Sequence, residues 1–584
     1  MRQELVGVPI SPGVGVGRLL LVADESPDQL PLRRVPEGEE EAAWRELERA
    51  RRQAIRRLAQ VQERTARELG IQEAAIYAAQ QAVLQDPQAK AALERMVFEE
   101  RLAPESAIAA LIERFGRLFE GLEGGDLKNW AADLRDPWTV VLRELQSERE
   151  GSLLGPGDGG PVVLAAEELT PSLVARLPRE RIAGILCERG GRYSHGAVVA
   201  RSHGIPTVSG LDQLRSRVRE GESCIVYGDE GRALLGAAEE EREQALQRAA
   251  QSRSVAEALL EGAREPARLA DGETVWIQAN IETPRDLDAF DLRTVDGIGL
   301  FRTEFAYMER PSFPSVEEQV GIYRSVLERL EGKPVTFRTL DVGGDKQLRY
   351  LTLPEERNPA LGWRGLRVGL VWQDLLLIQL QALLASRAHG RVRILLPMVT
   401  LVEEVARVKA LLGGLRDAGA ERGPAPLGAM VEVPALMMSM RHLLDEVDFF
   451  SVGTNDLTQY LFAVDRDNPW VSSLYQPYHP AHLRVLRNLA RLGARARRPP
   501  TVCGELAGQH AGALFLVGVG FRSLSMAGNF VPEVKALLAR ADKEVLQAAA
   551  ARALRARSSQ EARAVLEETA GGLWRGVLED LGAV

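Results

Sequence analysis

The sequence has few cysteines and few histidines. Its 584 residues contain three cysteines, Cys187, Cys224 and Cys503, with no short pairing between them. Zinc sites and disulfide frameworks need such pairs, so the spacing argues against both and favours a reducing, cytoplasmic location. Only seven histidines occur, which gives weight to the one that stands in a glycine-rich turn, His195.

Long apolar runs and an excess of positive charge are also missing. No run approaches the roughly 20 apolar residues of a membrane helix, and residues 1–7 lack the apolar core of a signal peptide. The formal net charge is −9, whereas a general nucleic-acid binder usually presents a basic face. We therefore expect no membrane span and no nucleic-acid partner. The length of 584 residues predicts three or four globular domains.

The most informative stretch is Gly190–Arg201, which reads GGRYSHGAVVAR. The apolar run Ile182–Leu186 before it predicts a buried strand. The residues after His195 predict a helix that ends at Gly204-Ile205-Pro206. A helix N-terminus offers unpaired N–H groups and positive partial charge, so it would stabilise a phosphate carried by His195. Taken alone, His195 could equally be a capping or packing residue.

The first 235 residues change character twice. Residues 1–33 are rich in glycine and proline and predict short strands, with Leu19–Ala23 as a buried one. Strand candidates return at Pro161–Leu164, Ile182–Leu186 and Cys224–Tyr227. The simplest assembly is one small β/α domain, built from residues 1–33 and 147–235.

A charged, helix-forming block separates these two parts at residues 34–146. Its apolar residues recur at heptad-like spacing in the first helix, at Trp44, Leu47, Ala54, Leu58 and Val61. An isolated coiled coil and an inserted helical bundle that docks a partner both fit this periodicity. A further charged, alanine-rich helix over residues 236–265 is typical of a solvated linker.

From residue 266 to 584 short apolar strands alternate with helices. Eight strand candidates occur, at Val275–Ala279, Gly297–Phe301, Val335–Phe337, Val392–Leu396, Leu427–Val431, Phe449–Val452, Thr501–Cys503 and Phe521–Leu524. Eight strands in about 300 residues are the expectation for a (β/α)8 TIM barrel. A doubly wound open sheet is the alternative.

Functional groups stand where five of these strands end. They are Arg302, Arg338, Glu432, the pair Asn455 and Asp456, and Cys503. In a barrel the carboxyl ends of the strands converge on one face, where active sites lie. A purely structural explanation would have to apply separately to each of the five strands.

The chemistry of this set is coherent. Glu432 and Asp456 are hard oxygen ligands that suit Mg²⁺, although a single carboxylate is more often a surface acid. Four arginines could grip a carboxylate or phosphate, although each alone could form a surface ion pair. They are Arg302, Arg338, Arg364 and Arg466. The combination fits a small phosphorylated acid as substrate.

Two further residues are ambiguous by themselves. Asn455 could donate to an anion or simply occupy a turn. Cys503 is a lone thiol that could deliver a proton, or it could be a buried apolar filler.

Six motifs together resemble one family. They are Gly190–His195, Gly299–Phe305, Phe337–Lys346, Asn358–Gly362, Ser451–Tyr460 and Val502–Glu505, and Ile10–Gly13 resembles the family's opening. The family is Enzyme I of the bacterial sugar phosphotransferase system, the phosphoenolpyruvate–protein phosphotransferases. The resemblance covers essentially the whole chain.

The resemblance implies an α/β multidomain protein. It would comprise a phosphohistidine β/α swivelling domain with an inserted helical bundle, a linker helix and a C-terminal TIM barrel. The bundle at residues 34–146 would bind the phosphocarrier protein HPr, and the barrel would bind phosphoenolpyruvate and carry a homodimer interface.

The resemblance also implies residue roles. His195 would receive the phosphoryl group from phosphoenolpyruvate, and Cys503 would protonate the enolate to give pyruvate. Glu432 and Asp456 would hold Mg²⁺. The substrate would be bound by Arg302, Arg338, Asn455, Asp456 and Arg466, with Arg364 nearby.

Three positions depart from the family pattern. Tyr193 stands where threonine is usual, and Gly196 stands where threonine or serine is usual, so hydrogen bonding near His195 would differ. Gln80 occupies a position that is commonly histidine, which could alter the surface that faces HPr.

Two alternative functions remain to be compared with this one. The pyruvate phosphate dikinases and phosphoenolpyruvate synthases share the phosphohistidine and barrel domains but carry a large ATP-binding domain ahead of them. Only about 190 residues precede His195, and they contain no glycine-rich nucleotide loop. A non-catalytic scaffold, with a phosphorylation state that partners read, would be favoured by loss of Glu432, Asp456 or Cys503, and all three are present.

Overall fold

The computed structural model describes most of the chain. The described residues are 2–21, 33–68, 77, 80–120, 137–142, 144–145, 160–168, 181–189, 200, 204–308, 312–343, 348, 350–351, 354, 356–417, 425–466, 468 and 470–583. By internal contacts the chain divides into two units, Met1–Ala250 and Gln251–Val584. The finer division into four segments stays a prediction.

The first unit contains an eight-stranded mixed sheet. Its strands are β1 (Gln3–Val6), β2 (Val8–Ser11), β3 (Val14–Leu21), β4 (Val162–Glu168), β5 (Ile182–Arg189), β6 (Thr207–Ser209), β7 (Ser223–Tyr227) and β8 (Arg232–Leu235). Their order is β1-β8-β7-β3-β4-β5-β6-β2. The first and last strands of this order are separated in the chain by Gly7 alone, so the sheet must curve back on itself.

The N-terminal strands pair with the segment from residue 160 to 235, as predicted. β3 lies between β4, which is parallel to it, and β7, which is antiparallel. The sequence reading missed β6 and β8, because three or four residues are too few to show a clear alternation. Of the predicted strand Leu19–Ala23, the last two residues lie outside the described part of the chain.

The block between β3 and β4 is helical. Its helices are α1 (Glu40–Glu68), α2 (Pro87–Phe98) and α3 (Pro104–Glu120), and residues 80–85 and 137–142 are helical as well. Leu47 of α1, Leu93 of α2, Ile108 of α3 and Trp138 share one buried core. The block is therefore an inserted bundle and not an isolated coiled coil.

Asp86-Pro87, which predicts a helix end, also begins the next helix. The Asp86 side chain accepts a hydrogen bond from the Gln88 amide (2.9 Å), and proline occupies the first turn of α2, where no N–H is needed. A short helix, α4 (Leu214–Arg217), lies between β6 and β7, and a long helix, α5 (Glu239–Gly262), follows β8. α5 corresponds to the predicted linker helix, and the division between the two units falls within it.

The second unit is a closed barrel of eight parallel strands. They are β9 (Trp276–Ile281), β10 (Ile298–Arg302), β11 (Pro334–Arg338), β12 (Arg391–Leu396), β13 (Leu427–Val431), β14 (Phe449–Val452), β15 (Thr501–Val502) and β16 (Ser523–Ala527). β16 pairs with β9 and β9 with β10, which closes the ring. The predicted (β/α)8 barrel is confirmed, and the open sheet is excluded.

Helices follow the strands around the barrel. They are α6 (Phe305–Met308), α7 (Val316–Arg329), α8 (Leu366–Val371), α9 (Gln373–Ser386), α10 (Val402–Asp417), α11 (Pro434–Met438), α12 (Met440–Glu446), α13 (Thr454–Phe462), α14 (Pro480–Arg495), α15 (His510–Gly518), α16 (Val531–Ala539), α17 (Lys543–Arg555) and α18 (Ser559–Asp580). In the part of the chain that the structure describes, no helix is long and apolar enough to cross a membrane.

The barrel has two apolar layers. The larger lies between strands and helices, where Val335 and Phe337 of β11 pack with Tyr323 of α7. The smaller consists of the side chains of Leu300, Leu395, Met430, Phe449 and Cys503. Four strand predictions need small corrections. Val275, Gly297 and Cys503 lie just outside the strands predicted to contain them, and β16 starts at Ser523, after Phe521, which is buried in the outer layer.

Candidate active site

Four of the predicted residues lie at the carboxyl ends of barrel strands. Arg302 and Arg338 are the last residues of β10 and β11, and Glu432 and Cys503 directly follow β13 and β15. Because the barrel is closed and all its strands are parallel, these side chains lie at the same end of it.

Glu432 is a buried carboxylate. Its Oε1 accepts a hydrogen bond from the Met398 amide at 2.6 Å. Burial, with added repulsion from Asp456 and Asp341, raises the pKa of Glu432 to about 8. A cation beside Glu432 would remove this penalty on the charged form.

Asp456 lies in the first turn of α13, which follows β14. Its Oδ2 lies 3.5 Å from Arg364 Nη2, and its Oδ1 lies 3.6 Å from Arg466 Nη1. Oδ1 is buried, and none of the described residues gives it a hydrogen bond. Among the described residues no group of three or more histidine, cysteine or acidic side chains forms a metal cluster.

Two buried carboxylates contact Arg338. Glu304 Oε1 accepts a hydrogen bond from Arg338 Nη2 at 2.5 Å, and Asp341 Oδ2 lies 3.2 Å from Arg338 Nη1. Burial by itself lowers the pKa of Arg338, but the charges of Glu304 and Asp341 outweigh it and raise the pKa above the ordinary value. The guanidinium is therefore charged and held from two sides.

Arg364 joins the same network. Its Nη2 and Nε lie 2.9 and 3.3 Å from the two oxygens of Asp341, which makes the pair bidentate. Its Nη1 donates to Tyr460 Oη at 3.3 Å. The Arg364 side chain, predicted only to lie nearby, thus connects Asp341 to Asp456.

Arg302 and Arg466 are more accessible than these two arginines. The Arg302 side chain is 34% exposed and lies 2.5 Å from Glu282 Oε1, and the Arg466 side chain is 32% exposed. Side chains with this exposure can meet an incoming anion, whereas Arg338 and Arg364 are buried.

Cys503 is a buried thiol. Its Sγ donates to the carbonyl of Val452 at 3.5 Å. Burial and the charge of Glu432 raise the pKa of Cys503 to about 12, against a smaller opposite effect of Arg338 and Arg302. At neutral pH the group is therefore a protonated thiol, which can donate a proton and is not a nucleophile.

Asn455 forms a reciprocal pair with Glu505. Asn455 Nδ2 donates to Glu505 Oε1 at 3.2 Å, and the Glu505 amide donates to Asn455 Oδ1 at 3.3 Å. The pair links α13 to the segment after β15 and fixes the orientation of the amide.

Comparison with known proteins supports one family. Family models match in three consecutive parts, described as PEP-utilising enzyme N-terminal (residues 6–129), mobile domain (159–231) and PEP-binding domain (257–543). The phosphoenolpyruvate-protein phosphotransferase of Geobacillus stearothermophilus is 36% identical over 93% of this chain and 94% of its own length. Those of Listeria monocytogenes and Streptococcus equinus are 33% and 35% identical over 97% and 96% of this chain.

The chain belongs to the phosphoenolpyruvate–protein phosphotransferase family. A solved solution structure of an Enzyme I protein is also similar, at 28% identity over 43% of this chain and 99% of its own, with a TM-score of 0.34. The rival dikinase and synthase families are not favoured, because relatives of this family cover nearly the whole chain.

The phosphotransferase motif around His195 lies outside the described residues, as do Tyr193 and Gly196. Gln80 is described and is half-buried on a helix. Its neighbour Gln81 donates to Gln62 Oε1 at 2.7 Å, so it is tied to α1.

Four contributors were missed in the sequence. Glu304, Asp341 and Glu505 stand in motifs that the phosphotransferase resemblance rests on, yet only their neighbours were assigned roles. Their positions, two or three residues beyond a strand end, were the available signal. Tyr460 also stands in one of these motifs, but it lies well inside α13 and not at a strand end, and its contact with Arg364 spans 96 residues of sequence.

Proposed function

We propose that this chain transfers the phosphoryl group of phosphoenolpyruvate to its own His195 and then to a histidine of HPr. This is the first step of the sugar phosphotransferase system. The observation that carries the proposal is the group of arginines, carboxylates and a protonated thiol at the carboxyl end of the barrel. A small, multiply charged phosphorylated acid needs this combination, and membership of the family supports the assignment.

In this proposal the arginines bind the substrate. Arg302 and Arg466 are accessible enough to contact the phosphate or carboxylate directly. The buried Arg338 and Arg364 supply fixed positive charge behind them, and Asn455 donates an N–H. Phosphoryl transfer depends mainly on such positioning and charge neutralisation.

Mg²⁺ would be held by Glu432 and Asp456. The buried Oδ1 of Asp456, which accepts no hydrogen bond from the described residues, and the burial of Glu432 both fit a hard cation. When bound, the ion would neutralise negative charge on the phosphoryl group and the enolate oxygen.

The transfer step can be written with its electrons balanced. The His195 imidazole attacks phosphorus, the bond from phosphorus to the enol oxygen breaks, and the electron pair remains on the enolate. The Cys503 thiol gives its proton to the methylene carbon, which forms pyruvate. The thiolate then regains a proton from solvent. This role requires a protonated thiol at neutral pH, and the pKa of Cys503, about 12, meets that requirement.

HPr is proposed to bind the helical bundle between residues 34 and 146. A homodimer is proposed to form through the barrel, which exposes three large apolar side chains on segments after β11 and β12. Leu361, Val371 and Leu401 are 67%, 65% and 55% exposed. Large apolar side chains with this exposure are available to a contact surface. A cytoplasmic location is in keeping with three cysteines that form no disulfide.

The test uses phosphoenolpyruvate labelled with ³²P, with and without Mg²⁺, on the wild type and on His195→Ala. We expect acid-labile label on the wild type alone, and transfer of that label when HPr is added. Label that stays on the wild type would reject HPr as the acceptor. Absence of label would reject the catalytic proposal and favour the non-catalytic scaffold.

A further inference from the structure

Asp341 lies between the two buried arginines of the site. Its Oδ2 lies 3.2 Å from Arg338 Nη1 and 2.9 Å from Arg364 Nη2, and Oδ1 lies 3.3 Å from Arg364 Nε. The Asp341 side chain has no exposed surface. It therefore contacts both guanidiniums from behind and has no accessible surface that a substrate could touch.

Glu304 supports this arrangement. Its Oε1 accepts hydrogen bonds from Arg338 Nη2 (2.5 Å) and from the Asp341 amide (3.0 Å). Glu304 thus fixes the side chain of Arg338 and also the backbone of Asp341, which in turn holds Arg364. Gln379 of α9 adds to this by accepting from the Leu340 amide at 2.8 Å.

The two arginines keep N–H groups that the carboxylates do not occupy. A guanidinium has five N–H groups, and each carboxylate contact occupies one. Arg338 Nε is buried and has no hydrogen-bond partner in the described part of the chain. The carboxylates therefore orient the guanidiniums without using all their N–H groups.

We propose that Asp341 and Glu304 are positioning residues, which align the Arg338 and Arg364 guanidiniums before phosphoenolpyruvate binds. This rests on the proposed function. Because the two arginine side chains have lost rotational freedom before the substrate arrives, its binding costs less entropy. Their fixed charges also need no reorganisation when the phosphoryl group moves. A role in folding alone is the competing explanation, because buried ion pairs also form for packing reasons.

The kinetic constants distinguish these explanations. Asp341→Asn keeps the shape but removes the charge that orients both arginines. We expect KM for phosphoenolpyruvate to rise about 10- to 100-fold, the value of one or two charged hydrogen bonds, with a smaller fall in kcat. A purely structural role would instead reduce the fraction of active protein, and so would lower kcat at unchanged KM.

Asp291→Asn is the matched control. Asp291 also bridges two arginines, with its Oδ2 3.1 Å from Arg264 Nε and 2.7 Å from Arg293 Nη2. It precedes β10, at the opposite end of the strand from Arg302. We expect KM for this control to stay within about twofold of the wild type, since Asp291 lies at the end of β10 away from the proposed substrate site.

A double-mutant cycle shows whether Asp341 acts through its arginine. We compare the fold-increase in KM that Asp341→Asn causes in two backgrounds. In the Arg364→Lys background this increase should be at least about threefold smaller than in the wild type, because one of the two arginines that Asp341 orients has been replaced. Equal effects in both backgrounds, or a KM for Asp341→Asn within threefold of the wild type, would overturn the proposal.

If Asp341→Asn does not fold, Glu304→Gln decides by the same criterion, since it removes only the charge that faces Arg338. Failure of the wild type to form pyruvate would reject the proposed function and this inference with it. Normal pyruvate formation by the wild type with unchanged KM in these variants would reject the positioning role alone.

Discussion

Replacement of Cys503 by alanine tests the proposed chemistry most directly. The change removes one sulfur and its proton and leaves the backbone and Cβ in place. The thiol is surrounded by Leu300, Leu395, Met430 and Phe449. Truncation of one atom in this layer should cost about 1 to 2 kcal/mol of stability, so the variant should remain folded.

The expected effect on rate follows from the state of the thiol. Burial raises the pKa of Cys503 from an ordinary 9.0 to about 12, which disfavours the thiolate by about 4 kcal/mol. The thiol is therefore protonated throughout the range between pH 6 and 9. Loss of a positioned general acid typically costs about 10²- to 10⁴-fold in rate. We expect that loss in kcat, with KM for phosphoenolpyruvate nearly unchanged.

The assay measures pyruvate formation in the presence of HPr, together with the stereochemistry of protonation at the methylene carbon. Wild-type protein should deliver a proton to one face of the enolate, whereas Cys503→Ala should leave protonation to solvent and give a racemic labelled methyl group. A kcat within threefold of the wild type, or retained stereospecificity, would refute Cys503 as the donor.

Three further predictions follow from other contacts. Glu48→Gln should destabilise the first unit by about 3 kcal/mol in calorimetric unfolding, because buried Arg51 lies 2.8 Å from Glu48 and would lose its charge partner. Gly504→Ala should reduce phosphorylation from phosphoenolpyruvate several-fold, since a Cβ there would lie 1.7 Å from Thr454 Oγ1 at the first turn of α13; wild-type labelling would contradict this. Burial lowers the pKa of His482 from 6.5 to about 4, so stability present above pH 6.5 should be lost, by up to about 3 kcal/mol, as pH falls towards 4. His482→Gln should flatten this dependence in acid titrations of unfolding.

Much of the fold could be predicted because its signals are local. All eight barrel strands were placed within a few residues, since each is a short apolar run between helical segments. The strand-end position of Arg302, Arg338, Glu432 and Cys503 followed from the same pattern. Errors were confined to short strands such as β6 and to strand edges such as Phe521, where packing and not periodicity sets the boundary.

The contacts within the site could not be predicted in this way. Tyr460 meets Arg364 across 96 residues, and Asp341 meets Arg364 across 23. No periodicity in sequence encodes such pairs, because they depend on which strands become neighbours and on how the chain returns over the barrel end.

The sequence by itself determined which residue types stand at the ends of which strands, because the alternation of apolar strands with helices is a local pattern of neighbouring residues. Only the tertiary structure decided that Asp341 lies between two arginines, and that burial raises the pKa of Glu432 and Cys503 to about 8 and about 12. Burial and charge pairing depend on distances between remote parts of the chain, and those distances exist only once the barrel has closed.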